Sequence, residues 1–259
     1  MGVRQGRCTI LRLALTVAGI LVMVTTRAQS AGDDRPWGLT FRQLEWQDSS
    51  TPEAYMHDVQ GWVGSRRQRL WFRGEGGKHV SGARYDNRLE LLWGHAPRWW
   101  RWMDALDLEM LIGVRHDRGT TPSRTYFALG FTGILPLGIR FEGSGYLGDG
   151  STMGDDIHTG VRLQLERGWD LGDRWTLALR GEREIWSEDH VRYSEGIGPW
   201  MLSAGLRLHY RIGDHIAPYL GAEWFDLESD TQGLAAIAGE ETREVRAVAG
   251  LRVQFGRER

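Results

Sequence analysis

The chain has 259 residues, enough for one large domain or two small ones with a sizeable core. A formal net charge of −2 leaves no basic field of the kind that drives nucleic-acid binding, so no nucleic-acid partner is expected. The single cysteine, Cys8, excludes a disulfide framework, a cysteine zinc site and an iron–sulfur cluster.

At the N-terminus, Arg4, Arg7 and Arg12 form a positive region ahead of a short apolar run from Leu13 to Val24. Small residues follow, with Thr26 and Ala28 at the −3 and −1 positions of a cleavage site. Residues 1–28 therefore read as a secretory signal peptide, whose apolar run is too short to span a membrane as a helix. Cleavage would remove Cys8. A short segment, 29–38, then leads into a domain expected over 39–259.

From Leu39 onward the apolar pattern has period two. Val161, Leu163 and Leu165 alternate with Arg162, Gln164 and Glu166, and Leu206, Leu208 and Tyr210 alternate with Arg207, His209 and Arg211. Successive strand side chains point to opposite faces, so each segment has one apolar and one charged face. The spacing predicts twelve strands at 39–48, 54–64, 70–76, 84–95, 103–117, 124–135, 139–149, 157–169, 175–187, 200–212, 217–227 and 243–255.

Their connections alternate in length. Short turns at 65–69, 96–101, 136–138, 170–174 and 213–215 alternate with longer polar loops, which gather the turns at one end of a meander and the loops at the other. Trp62, Trp71, Trp93, Trp99, Trp100, Trp102, Trp169, Trp175, Tyr210 and Tyr219 cluster near the turns, as an interfacial aromatic girdle would. Together with the export signal, these features predict an all-β fold: an antiparallel up-and-down transmembrane β-barrel of the outer membrane, after a cleaved signal peptide.

The charged faces then line the lumen. The expected lining is Arg73, Glu75, Arg88, Glu90, Asp107, Glu109, Arg115, Arg140, Glu142, Arg162, Glu166, Arg207, Arg211, Arg246 and Arg252. Nearly balanced signs suit mutual pairing across a narrow or closed interior, and arginine's planar fork suits carboxylates.

Several segments resemble the copper resistance protein B family of outer-membrane proteins. They include Gln43-Leu-Glu-Trp46, Gln60-Gly-Trp-Val-Gly64, Gly113-Val-Arg-His-Asp117, Tyr146-Leu-Gly-Asp149, Ala217-Pro-Tyr-Leu-Gly221 and Val248-Ala-Gly-Leu-Arg252, in the family's order. The resemblance implies an outer-membrane barrel that binds copper ions and serves copper resistance or homeostasis without catalysing a reaction. It also implies a periplasmic multicopper oxidase and small copper carriers as partners. Where many members carry a Met/His/Asp-rich segment before the barrel, Ala31 to Leu39 contains neither Met nor His.

The remaining soft and imidazole donors are few. Met153 and His158, in or beside a loop with Asp149, Asp155 and Asp156, are the preferred copper ligands, followed by Met56 and His57. Met56 and His57 are adjacent in a strand and so face opposite ways. A narrow pore or envelope protein without strong copper binding is the alternative. A third reading is a lipid hydrolase using Ser123 with His116, or Ser187 with His190, though no His-Glu-x-x-His, Gly-x-Ser-x-Gly or Walker-type loop is present.

Overall fold

A computed structural model describes residues 36–48, 54–65, 67–79, 85–97, 103, 105–118, 123–149, 157–186, 200–227 and 242–257. The twelve strands are β1 (Trp37–Asp48), β2 (Ala54–Gly64), β3 (Gln68–His79), β4 (Tyr85–His95), β5 (Glu109–Arg118) and β6 (Arg124–Leu135), followed by β7 (Ile139–Asp149), β8 (Ile157–Asp170), β9 (Trp175–Trp186), β10 (Trp200–Tyr210), β11 (Ile216–Leu227) and β12 (Arg243–Arg257). Each pairs antiparallel with its sequence neighbours, and β1 pairs with β12 from Trp37↔Arg257 to Asp48↔Ala247, closing the barrel. Closure satisfies the backbone of every strand and leaves no edge, which is what a strand structure needs in hydrocarbon.

The alternation resolves into an apolar outer wall and a polar interior. Leu129, Val161 and Leu220 are 51%, 58% and 69% exposed, whereas Arg115 and Glu184 on the inner face are 2% and 1% exposed. A soluble barrel would reverse that order. Strands of 10 to 15 residues meet or exceed the roughly 9–11 tilted residues that cross a bilayer. Transfer of such a wall into lipid is favoured by about 25 cal/mol per Å² of apolar surface.

Three expectations need correction. The fifth strand begins at Glu109 rather than 103, because the chain before it forms a compact turn. There the Leu108 N–H donates to the Met103 carbonyl at 3.1 Å, the Ile134 N–H reaches the Leu106 carbonyl at 2.6 Å, and Asp107 is left-handed at φ 44°. Asp107 therefore sits in the turn, outside the lumen wall. Arg211 lies beyond the end of β10, with a half-exposed side chain 3.9 Å from Asp170.

The aromatic girdle also divides. Trp93, Trp169 and Trp175 are exposed on the outer wall near the turns, but Trp62 and Trp71 face inward. Trp71 donates its Nε1–H to Glu109 at 2.8 Å, and Tyr219 donates its hydroxyl to Glu45 at 3.0 Å. A ring with a polar tip suits an interface or a polar lumen equally, so aromatic content could not separate the two.

Strand β1 carries one irregularity. Phe41 and Gln43 oppose the consecutive Val59 and Asp58 of β2, and Phe41 and Glu45 oppose Val253 and Gly250 of β12. Against both neighbours β1 thus has one extra residue, a β-bulge that turns Arg42 and Gln43 inward together.

Candidate functional site

The lumen is filled by side chains from opposing walls. Arg42 donates Nε to Asp58 at 3.0 Å, and its Nη1 reaches Glu142 at 2.9 Å and Gln164 at 3.0 Å. Glu142 lies on β7, diametrically across the ring from β1. Arg180 of β9 reaches Asp58 of β2 at 2.8 Å, and Arg162 of β8 reaches Glu75 of β3 at 2.7 Å. Arg88 of β4 pairs with Glu184 of β9 at 2.8 Å. Around β10 to β12, Arg207 binds Glu45 at 2.7 Å and Glu223 at 2.5 Å, and Arg252 binds Glu166 at 3.0 Å. Desolvated charges persist where partners and extra hydrogen bonds satisfy them, as each of these carboxylates is satisfied.

Arg42, Asp58, Arg180, Glu182, Glu184, Glu45 and Glu223 are absent from the sequence-based lining. A period-two signal existed for part of this set: Ala178, Arg180, Glu182 and Glu184 share one parity of β9. Arg183 on the opposite, outward face blurs that contrast. Thr40 and Arg42 likewise alternate with Leu39 and Phe41, but the bulge breaks the parity at Gln43, and a one-residue bulge has no composition of its own.

At the loop end, Arg115 lies over Tyr146, Trp186 and Tyr126, with its guanidinium carbon 4.3, 5.1 and 5.6 Å from the ring centroids. Arg115 also pairs with Asp117 at 2.7 Å and Glu184 at 3.2 Å. Trp186 seats its ring above Gly160, in a hollow that only a residue without Cβ leaves open. The mouth is thus lined by rings and by an arginine whose charge is already matched.

The predicted copper donors distribute around this mouth. His158 is 5% exposed on β8, on the lumen-facing parity with Arg162 and Gln164. Met56 faces the lumen on β2, its sulfur against Gly77, while His57 has the opposite parity. Met56 and His158 therefore share the loop end of the interior but stand on opposite walls. Met153, Asp155 and Asp156 lie outside the described residues, as does the side chain of Asp149. Among the described residues, no group of three or more His, Cys, Asp or Glu side chains is arranged to hold a metal ion.

His209 lies in the lumen near the turn end, its ring 4.8 Å from that of Tyr219. Outside the barrel wall, His116 shares a 2.9 Å hydrogen bond with the Thr125 hydroxyl, so its described side-chain partner is not Ser123. Ser187 and His190 fall outside the described residues.

Comparison with known proteins agrees with this architecture. The family model described as Copper resistance protein B precursor (CopB) matches residues 35–255. Copper resistance protein B of Escherichia coli is 31% identical over 214 residues, covering 82% of this chain and 67% of that protein. The Copper resistance protein B homolog of Pseudomonas syringae pv. tomato is 28% identical over 213 residues, covering 82% and 68%. Among solved structures, a NanC porin superposes with TM-score 0.52 at 11% identity, over 85% of this chain and all 100% of that one, a likeness of fold. A match that runs from just before the first strand to within two residues of the end of the last makes the assignment one of the whole barrel: the chain belongs to the copper resistance protein B family.

Proposed function

We propose that this protein is an exported, non-catalytic copper-binding barrel of the outer membrane that contributes to copper resistance. The observation that carries the reading is the family match over 35–255, the same span that folds into the lipid-facing barrel. In this reading residues 1–28 direct export and are removed, and 29–38 form a short lead-in to the barrel. Short turns face the periplasm and long loops the exterior, the usual orientation of such barrels.

Copper is the cargo, taken up at the loop end. Its proposed ligands are His158 and Met153, with Met56 and His57 as further donors. Imidazole and thioether are the soft donors this chain offers, while the lumen carboxylates are engaged by arginine. The proposed partners are a periplasmic multicopper oxidase and small copper carriers.

The test is titration of the refolded mature barrel with Cu(I) and Cu(II), using Zn(II) as control and heat-modifiable gel mobility to verify folding. Saturable copper-selective binding is expected. The Met153→Ala/His158→Ala variant should bind at least ~10-fold more weakly, a loss of about 1.4 kcal/mol. An unchanged affinity in that variant removes the ligand assignment. A folded barrel that binds no copper removes the copper-binding reading itself.

A further inference from the structure

Ion pairs in this lumen run across the barrel as well as along its wall. Arg42 is the clearest case. It is 5% exposed, and its guanidinium joins β1 to Asp58 on the neighbouring β2 and to Glu142 and Gln164 on the far wall. The β1 bulge adds a residue against both β2 and β12, so Gln43 turns inward beside Arg42, which keeps the inward parity of Thr40. Thr40 pairs with the lumen-facing Gln60, so Arg42 two residues on faces inward by simple alternation, and the bulge places Gln43, Glu45 and Gln47 on that same inner face.

Around Arg42, Arg180 and Arg162 extend from β9 and β8 to Asp58 on β2 and Glu75 on β3. In the remaining sector, Arg252 joins β12 to β8, and Arg207 joins β10 to β1. Each sector of the ring is therefore bridged by a guanidinium held at hydrogen-bond distance from a carboxylate.

We propose that the lumen is sealed in the resting protein, with Arg42 and Arg180 as the residues that close it, and that removing their guanidinium groups turns the barrel into a cation-selective pore. The inference concerns permeation and stands independently of where copper binds. Sealing follows from spokes that meet in mid-lumen. Cation selectivity follows from what the substitution leaves behind: Asp58 loses both of its arginine partners, and Glu142 loses Arg42 and keeps Arg73 at 3.3 Å, so the lumen gains net negative charge. Carboxylates freed in a narrow channel create a negative potential that concentrates cations. Arginine cannot deprotonate in proteins, so the seal keeps its charge over the whole physiological range.

The experiment is planar-bilayer conductance in potassium chloride, with the wild-type barrel, Arg42→Ala and Arg42→Ala/Arg180→Ala, each verified by heat-modifiable mobility. Wild type should show no discrete channel steps. The double variant should show them, with a reversal potential in a salt gradient displaced toward that of potassium, and the single variant should conduct less. Arg42→Gln and Arg180→Gln serve if an alanine variant does not fold. Steady conductance by wild type overturns the proposal without recourse to any variant. So does a folded double variant that stays silent, because a purely structural arginine would alter stability and leave permeation unchanged. Anion selectivity in the opened variant would overturn the assignment of Asp58 and Glu142 as the exposed lining.

Discussion

Glycine and ring form a recurring unit in this barrel. A Cβ built on Gly160 would lie 2.6 Å from the Trp186 ring, and one on outward-facing Gly143 would lie 2.7 Å from Phe131. Gly145, by contrast, has its nearest neighbour at 3.9 Å. Gly160→Ala must therefore displace Trp186, which lies against Tyr126 and Tyr146 and beneath Arg115. Overpacking of this kind costs about 1–3 kcal/mol. Gly160→Ala is expected to lower stability by that amount in denaturant unfolding from lipid vesicles, while Gly145→Ala stays near wild type. Equal stability of the two would mean that Trp186 has another seat. The same scale shows what individual residues could disclose. Strand parity separates Met56 from His57 in the sequence alone, because alternation is a property of the backbone. It could not reveal that Trp71 and Tyr219 turn inward, because their polar tips are as well served by Glu109 and Glu45 as by lipid headgroups.

Strands were the most legible elements. The spacing reproduces β2, β6 and β7 at both ends, since a wall with lipid on one side and charge on the other enforces strict alternation. The departures are places where local hydrogen bonding outweighs the pattern. Leu106 and Leu108 continue an apolar alternation but belong to the turn whose backbone bonds join Met103 to Leu108 and Leu106 to Ile134. The bulge in β1 is the other case, and it makes a deletion there unlike a deletion in an unbulged strand. Arg42→Ala keeps the extra residue and with it the register of β1. Deleting Arg42 removes the extra residue and lets Phe41 and Gln43 pair in regular register with both neighbours, so every remaining side chain keeps its facing. Deleting Leu206 in the unbulged β10 instead slips one part of that strand and reverses its facing. The Arg42 deletion is expected to retain the heat-modifiable folded band, as Arg42→Ala does, whereas the Leu206 deletion abolishes it. Loss of the band in the Arg42 deletion would mean that the bulge itself is needed for closure.

At the scale of the molecule, the fold inverts the usual polarity of a globular protein. Leu129 stands half-exposed at mid-strand, and the opposite face of the sheet holds Arg115 and Glu184 almost fully covered. A nitroxide attached at Leu129→Cys in bilayer-reconstituted protein should be relaxed strongly by dissolved oxygen and weakly by a water-soluble nickel chelate. The reverse accessibility would place that wall in water and exclude the membrane-spanning reading. The sequence made the alternation and the turn-and-loop rhythm readable, whereas the arrangement of charges inside was not. Which arginine meets which carboxylate depends on closure of the ring, which brings together residues as distant as Arg42 and Gln164.

The pairing of Trp37 with Arg257 has a consequence for how the protein meets its surroundings. An even number of strands returns the chain to the mouth from which it set out, so entry and exit stand side by side at the turn end. A guest module joined ahead of the first strand and one joined behind the last would share a single compartment, each within reach of the other. The opposite face can be addressed only by insertions between strands.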